Sequence, residues 1–498
     1  MKIVSSEVMA RIDGRSRTEF AYPSSTLLED AGVKAWASVR RVIWSGRRRG
    51  RLVFLAGRGN NGGDALVMAR QAAVEHSRSL AVVLAGGRPA DDSEPGRMLA
   101  MCEALGIPCL GWPEQSDAVR ARLAEAAWVF DGIAGTGIHG ALRPPLSDLV
   151  DAVNASPGKK IAIDVPSGIG DEYRQGHPAL RADFTLTMGL PKVCLYLPHA
   201  RVLCGRIMVI DVGFPPPLLE DPEIPGELLR RSAWRKLAPP IAPDTYKNRR
   251  GHLAVFAGAR GTTGAAWLSA SAAARSRLGL VTLFVDADAY PIVAQKLTSV
   301  MCRPWDASES WDHASFSGVL AGPGWGLSQE KERWLERLLA QAVMGVIDAD
   351  GITLLGRIAS RAAPDLGGRW VLTPHPGEFS RLTGSPREDV LADPVRLSLE
   401  ASARLNAVIA LKGHCTVVAA PSGRYWILDG ANPALATGGS GDVLAGIIAA
   451  GIAGGMTPID AALFGVSLHA TVGRLAVRHF GWFLAEDLVP LISRTLSQ

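Results

Sequence analysis

Cysteine is scarce in this sequence: there are six in 498 residues, and none forms a C-x-x-C pair. That scarcity argues against a disulfide framework or a structural zinc site and suits a reducing compartment. No stretch of about 20 uninterrupted apolar residues occurs, so a membrane-spanning helix is not expected. The first fourteen residues carry Glu7, Arg11 and Asp13 where a secretory leader would place its apolar segment, and a cytoplasmic location is the expectation. Net charge is small too: 53 Lys and Arg oppose 48 Asp and Glu, a formal +5, which is little for a nucleic-acid or membrane-surface binder. The densest basic run, Arg47, Arg48, Arg49 and Arg51, has no interleaved aromatic platform for bases and reads as a solvated helix end and loop. No G-x-x-x-x-G-K-[ST] occurs, which excludes a P-loop nucleotidase, and no short solenoid-type repeat is present.

What is present is a globular composition, 47% hydrophobic and 20% charged, on a chain too long for one ordinary core. Short β-branched runs at 52–56, 80–85, 128–130, 160–163 and 207–210 predict buried strands, and the Ala-rich stretch 65–74 predicts a crossover helix. Such alternation belongs to a parallel sheet with helices on both faces, an α/β fold. From Phe214 to Pro243 the chain is rich in proline, which removes donors and interrupts regular structure. A linker is therefore expected at 221–245, with room for a helix inside 227–237, between a domain at 1–220 and another at 246–498. After Gly251, strand patterns resume at 252–257, 281–285, 319–321, 343–347 and 408–411, and an Ala/Gly-rich helix is predicted over 444–455. The second domain is thus a further α/β unit.

Three strand ends of the first domain deliver polar oxygens. The first runs into Gly57-Arg58-Gly59-Asn60-Asn61-Gly62-Gly63-Asp64, which formally satisfies G-x-G-x-x-G. An ordinary dinucleotide site is disfavoured, because Gly86-Gly87 rather than an acid follow the second strand and Asp64 would set negative charge beside phosphates. Later strands end in Asp131-Gly132-Ile133-Ala134-Gly135-Thr136-Gly137 and Asp164-Val165-Pro166-Ser167-Gly168. Any one of these loops alone would serve as an Asx turn or helix cap. Together, in the crevice where open α/β sheets bind ligands, they offer hard oxygens to a cation and glycine turns to phosphate.

In the second domain, Thr437-Gly438-Gly439-Ser440-Gly441-Asp442 leads into the predicted helix. Free N–H groups and the helix dipole make such a start an anion hole, and a carboxylate there can act as general base on a substrate hydroxyl. Helix capping alone would account for an Asp but not for the preceding glycines, so Asp442 is the catalytic candidate. Four further turns follow predicted strands: Gly322-Pro323-Gly324-Trp325-Gly326, Asp348-Ala349-Asp350-Gly351, Thr373-Pro374-His375-Pro376-Gly377-Glu378 and Lys412-Gly413-His414-Cys415-Thr416. His375, its backbone fixed between two prolines, is a ligand-binding candidate, and Lys412 and Thr416 offer a cation and a hydroxyl for phosphate.

The loop 59–64, the turn 131–137, Ile163-Asp164-Val165-Pro166-Ser167-Gly168, the TMGLPK segment 187–192 and Leu28-Glu29-Asp30-Ala31-Gly32 resemble the epimerase domain of the NAD(P)H-hydrate repair enzymes, over about residues 5–215. Residues 258–265, the Gly-Pro-Gly loop, 373–378, Lys412-Gly413 and Gly439-Ser440-Gly441-Asp442 are similar to the NAD(P)H-hydrate dehydratases of the ribokinase-like superfamily, over about 245–495. The resemblance implies a Rossmann-like first domain and a ribokinase-like second one. For the first it implies interconversion of the R and S epimers of hydrated NAD(P)H, with catalytic Asp164 and a potassium ion on Asn61, Asp131 and Ser167. It also implies substrate contacts from Asn60, Asn61, Gly62, Gly63 and Asp64, from Gly135, Thr136, Gly137, Ile138, His139, Gly140 and Ala141, and from Asp164. For the second it implies hydrated-cofactor contacts at Ala265, Gly324, His375 and Asp442, nucleotide contacts at Lys412, Gly413, His414, Cys415, Thr416 and Gly441, ADP as co-substrate, and Mg²⁺. The chain departs from the family at Ala65, where another glycine is usual, and at Thr262-Thr263 and Arg277-Leu278. Alanine would not suit a position that needs positive φ.

The hydrated cofactor carries a hydroxyl on its reduced nicotinamide ring, and water leaves poorly. Asp442 is expected to take the hydroxyl proton, the nucleotide's terminal phosphoryl to move to that oxygen, and phosphate to depart as the ring double bond re-forms. The first domain would supply the S epimer from the R form. The expected partners are NADHX, NADPHX and ADP, with no nucleic acid and no membrane, in a homo-oligomer. One alternative is a small-molecule kinase of the same superfamily, which would release a stable phosphorylated product. The other is a non-catalytic nucleotide-binding or scaffold role for the first domain.

Overall fold

A computed structural model describes residues 1–498 apart from 46–49, 76–78, 309, 310, 312, 363 and 498, and gives no side-chain environment for 41–45. The arginines expected to be solvated at 47–49 lie outside the described residues. The chain divides into two compact units, Met1–Ile224 and Pro225–Gln498. Among the described residues no helix is long and apolar enough to cross a membrane.

The first unit is built on seven strands: β1 Arg51–Ala56, β2 Leu80–Ala85, β3 Cys109–Trp112, β4 Ala126–Gly132, β5 Lys159–Ile163, β6 Phe184–Met188 and β7 Arg206–Ile210. All pair in parallel, in the order β3-β2-β1-β4-β5-β6-β7. Strand β1 is buried on both faces, as a central parallel strand must be. Leu52, Phe54 and Ala56 enter one core with Trp36 and Met68, while Val53 and Leu55 enter the other with Val119 and Val150. Phe54 stacks on Phe130 of the neighbouring β4 at 4.3 Å. The strand order reverses between β1 and β4, so their carboxyl ends open the ligand crevice of this architecture. The helix expected over 65–74 starts earlier, at Asn60, and takes in the glycine loop.

The second unit has ten strands: β8 Gly226–Leu228, β9 His252–Phe256, β10 Leu280–Val285, β11 Met301–Pro304, β12 Gly318–Ala321, β13 Gly345–Ile347, β14 Trp370–Leu372, β15 Val408–Leu411, β16 Cys415–Ala419 and β17 Tyr425–Asp429. Their order is β11-β10-β9-β12-β13-β14-β15-β16-β17-β8. The run from β11 to β15 is parallel, and β15, β16 and β17 form an antiparallel meander. The helix Ser440–Ala453 lies in the core, buried from Val443 to Ala453. It is apolar all round, as a fully buried helix is, and its glycines permit close crossing: a Cβ on Gly446 would come within 2.2 Å of the Ser269 carbonyl oxygen.

Of the segment expected as a linker, 221–224 belong to the first unit, where Ile224 is in the core, and 225–245 to the second. Gly226–Leu228 extends the sheet by pairing with β17, Trp234 is buried in the second core, and Thr471 Oγ1 donates to the Arg231 carbonyl at 2.9 Å. Proline is tolerated at such an edge, where ladder donors on one side are not needed. The helix allowed for within 227–237 is confined to Trp234–Leu237.

Candidate active sites

In the first unit a cavity of roughly 510 Å³ opens at the β1/β4 crevice, and Asn60, Asn61, Asp64, Thr136, Asp164 and Lys192 are among its walls. Gly62 has to be glycine: a Cβ there would lie 1.9 Å from the Gly57 carbonyl oxygen. Asp164 follows β5 at φ +64°, a left-handed conformation that costs strain outside glycine and concentrates at working sites. That geometry brings its Oδ1 to the Met188 N–H at 3.0 Å and to the Lys192 ammonium. Lys192 is 1% exposed and also donates to the Met188 carbonyl at 2.7 Å and Thr187 Oγ1 at 3.3 Å. Beside this pair, burial and then the Asp164 charge push the Asp64 carboxyl well above the ordinary range.

Below the cavity floor, Asp131 is fully buried and accepts from Ser167 N–H at 2.8 Å, Ser167 Oγ at 2.6 Å and Ile133 N–H at 3.2 Å. Burial outweighs those bonds and raises its pKa to about 6. Asn61 packs beside Gly135, where a Cβ would sit 3.3 Å from its own, and both polar atoms of its side chain are buried without a partner among the described residues. A buried amide left unpaired costs about 1–3 kcal/mol, and the Asn61 amide lies against the turn that follows Asp131.

Of the residues singled out in sequence, Asn60, Asn61, Gly62, Asp64, Gly135, Thr136, Gly137, Ile138 and Asp164 line the cavity. Gly63 lies behind the wall against Leu28. His139, Gly140 and Ala141 stand on a turn outside the cavity lining, where Gly140 N–H donates to Glu172 at 3.0 Å. Ala65 is inside the helix Asn60–Val74, fully buried and not at positive φ. The glycine its methyl requires is Gly132, where a Cβ would lie 2.7 Å from that of Ala65. Lys192, within the TMGLPK segment, and Asp13, from the first helix, join the cavity although sequence reasoning assigned neither a role.

The second site gathers at the carboxyl ends of β12 to β15. Gly439 caps the helix Ser440–Ala453 at φ +89° with no side-chain bond; Ser440 N–H donates to the Thr437 carbonyl at 3.3 Å, and the next amides, of Gly441 and Asp442, have no side-chain cap. Lys412, at the end of β15, donates to Asp348 Oδ1 at 2.7 Å and stands 3.9 Å from Glu378. Its Nζ would be 3.3 Å from a Cβ on Gly441, so the cation lies against the helix start. Burial, followed by the Asp348 charge, lifts Asp442 to about 7 against the pull of Lys412. For Lys412, burial alone would lower the pKa, but the charges of Asp348 and Glu378 prevail and raise it.

The surrounding loops are tied together. Thr373 Oγ1 donates to Asp348 Oδ1 at 2.7 Å, Gly326 N–H to Asp350 at 2.7 Å, and Thr262 Oγ1 to the Gly324 carbonyl at 2.6 Å. Ala265 comes within 3.0 Å of a Cβ placed on Gly324, so these two predicted contacts are neighbours. The Thr262 that departs from the family pattern is the residue that joins them. His375 caps the helix Pro376–Thr383, its Nδ1 accepting from Gly377 and Glu378 N–H at 3.0 and 3.3 Å. Gly413 and His414 form an exposed turn, Thr416 Oγ1 donates to the Gly413 carbonyl at 3.2 Å, and Cys415 is buried in β16. Asp348 and Glu378 were read only as parts of turns; their sign beside Lys412 gives them their role.

Two α/β units, each with glycine-rich strand ends at the reversal of its sheet and one presenting an acid at an open helix start, define a two-domain enzyme of nucleotide chemistry. The family described as NAD(P)H-hydrate dehydratase matches residues 253–494, and that described as YjeF-related protein N-terminus matches 24–194. The chain is 32% identical along its whole length to a bifunctional NAD(P)H-hydrate repair enzyme of Moorella thermoacetica, covering 98% of that protein. It is 33% identical to one of Coxiella burnetii over 88% of each chain. The chain belongs to the family of bifunctional NAD(P)H-hydrate repair enzymes. Its second half also superposes on an ADP/ATP-dependent NAD(P)H-hydrate dehydratase of Bacillus subtilis co-crystallised with ATP and Mg²⁺, with a TM-score of 0.50 and 26% identity over 54% of this chain and 98% of that one. A ribokinase-like superfamily protein of Enterococcus faecalis gives a TM-score of 0.50 and 26% identity over 55% and 95%. The ribokinase-like expectation for the second domain therefore holds.

Proposed function

We propose that the second unit dehydrates S-NAD(P)HX at the expense of ADP and that the first unit interconverts the R and S epimers. The observation that carries this is Asp442, poised near neutrality at an uncapped helix start with Lys412 against the same turn. Asp442 takes the proton of the ring hydroxyl. The terminal phosphoryl of ADP passes to that oxygen and AMP leaves; the C–O bond then breaks, phosphate departs, and loss of a proton from the adjacent carbon restores the ring double bond. The helix amides and Lys412 stabilise the charge on the transferring group. Gly441 and the 412–416 turn border the nucleotide, and Ala265, Gly324 and His375 border the hydrated ring.

In the first unit, Asp164 serves as the acid–base group at the substrate's hydroxyl-bearing carbon, while buried Lys192 fixes the carboxylate's direction. Asn61, Asp131 and Ser167 would hold a potassium ion, which supplies the positive charge that buried Asp131 lacks. For Mg²⁺, no group of three or more His, Cys, Asp or Glu side chains among the described residues is arranged to hold a metal. The ion then enters with the nucleotide phosphates, as Mg²⁺ commonly does. A kinase of the same fold would leave a phosphorylated product, and family membership gives that reading no support.

The test is to give the full-length protein an R/S mixture of hydrated NADH with ADP, and in parallel with ATP. Complete conversion to NADH with release of phosphate is expected. A halt after the S portion would refute the first unit's role, and accumulation of a stable phosphorylated product would refute the second's.

A further inference from the structure

A second cavity, of roughly 260 Å³, lies in the second unit away from the catalytic turn. It is bounded by the proline-rich segment 238–242, by Arg249 and Arg250, by Arg277, and by Gly451 and Phe464. Asp442 and this cavity occupy opposite ends of the helix Ser440–Ala453, about 14 Å apart from residue 442 to residue 451 at 1.5 Å per residue. The carbonyls at that helix end are already satisfied. Ala450 O accepts from Gly454 N–H at 2.9 Å, Gly451 O from Met456 N–H at 3.0 Å, and Ala453 O from Ser317 Oγ at 2.8 Å. The helix end therefore makes no demand for a cation.

Three arginines line the cavity and no Asp or Glu does. Two are engaged: Arg249 pairs with Asp244 at 3.4 Å and Arg277 donates to the Leu496 carbonyl. Arg250 differs: its side chain is half-buried, and its Nε is shielded from water with no partner among the described residues. A charged donor withheld from water without an acceptor is costly, whereas the guanidinium fork matches a planar carboxylate through two parallel bonds. The rest of the wall is mainly apolar, with prolines, alanines, Ile241, Leu278, Met456 and Phe464, and Thr245 and Ser276 add two hydroxyls, of which Ser276 Oγ already donates to the Ala272 carbonyl at 2.8 Å. Its volume falls just below the range of about 300–1,000 Å³ common for small-molecule sites, which limits the occupant to a short chain.

We propose that this cavity is a second ligand site of the enzyme, taking a small amphipathic carboxylate whose chain packs between the prolines and Phe464 and whose head pairs with Arg250. The site is separate from catalysis and does not depend on the reaction assigned above. Hexanoate is a suitable probe, with 1-hexanol lacking its charge and inorganic phosphate lacking its apolar body. Calorimetric titration of the full-length protein is expected to show one hexanoate bound, about tenfold or more tighter than either control. Arg250→Met is expected to weaken hexanoate about tenfold or more. Ala242→Trp, at an exposed position of the rim, fills the mouth without touching the core and is expected to abolish binding, while Asp442→Asn binds as the parent does. Absence of hexanoate binding, equal or tighter binding of either control, or binding undiminished in Ala242→Trp would overturn the proposal.

Discussion

At each of the two sites a lysine faces a strand-end aspartate, but these two pairs are turned in opposite senses. In the first, the Lys192 side chain is 1% exposed and the Asp164 side chain 16%; in the second, Lys412 is 20% exposed and Asp348 1%. The first site therefore shows its substrate a carboxylate backed by a hidden cation, and the second shows a cation backed by a hidden carboxylate. A buried ion pair of this kind contributes little net stability, so its use lies in the charge it presents. In the proposed reading, one crevice serves acid–base chemistry on an uncharged ring, the other a polyphosphate with a separate base, Asp442, beside it.

The sharpest break in that comparison is Asp442→Asn. Loss of a positioned general base costs about 10²–10⁴ in rate, so NADH recovery from the S hydrate is expected to fall by at least about a hundredfold, with nucleotide affinity and R-to-S exchange retained. An active variant would remove Asp442 from the mechanism. In the parent enzyme, a base with its pKa raised to about 7 is mostly protonated at pH 6 and mostly ionised at pH 8. The dehydration rate is therefore expected to rise through neutrality, and a pH profile flat from 6 to 8 would contradict the assignment.

The oppositely turned pairs are separated next by Lys412→Met and Asp164→Asn, each measured in both assays. Losing a hydrogen bond to a charged group costs about 1.5–3 kcal/mol. Lys412→Met is accordingly expected to weaken nucleotide binding by roughly 10- to 100-fold and spare epimerisation, while Asp164→Asn, which removes the proposed acid–base group, slows epimerisation by about 10²-fold or more and spares dehydration of pure S substrate. If either variant impaired both reactions equally, the division of labour would fail.

Much of this arrangement was legible in sequence because glycine demands are local. Gly57, Gly62 and Gly439 sit where a Cβ would strike backbone or a packed side chain, and such turns announce themselves as runs. The six-residue strands β1 and β2 were equally plain from their apolar residues. Short strands such as Cys109–Trp112 and Trp370–Leu372 were not seen, because three or four residues carry no periodicity. Strand Gly226–Leu228 hid inside a proline-rich stretch that reads as a linker. The lysine pairs were out of reach for another reason. Lys192 and Asp164 are 28 positions apart, and Lys412 and Asp348 are 64 apart, so their meeting is a property of the sheet order alone.

A smaller effect tests the cation at the first site. The pKa of Asp131 is raised to about 6 from 3.8, so its ionisation opposes folding: the group's contribution is full below about pH 4 and is lost as pH rises through 6. A cation shared with Asn61 and Ser167 would reverse that loss. Potassium is expected to raise the unfolding temperature of the first unit at pH 7.5 and to do so much less at pH 5, and Asn61→Ala should blunt the gain. An equal gain at both pH values would place potassium elsewhere.

The smallest effect concerns Ala65. Its position in the family pattern suggests that restoring glycine would help, but here the residue lies in a buried helix interior with ordinary backbone, packed on Gly132. Glycine is less favourable than alanine inside a helix by about 1 kcal/mol, and the methyl leaves a small void. Ala65→Gly is thus expected to lower the stability of the first unit by about 1 kcal/mol in denaturant titration and to leave epimerisation within about twofold of the parent. A marked gain in epimerase rate would instead mean that the methyl itself holds the Asn60–Asp64 loop away from its working position.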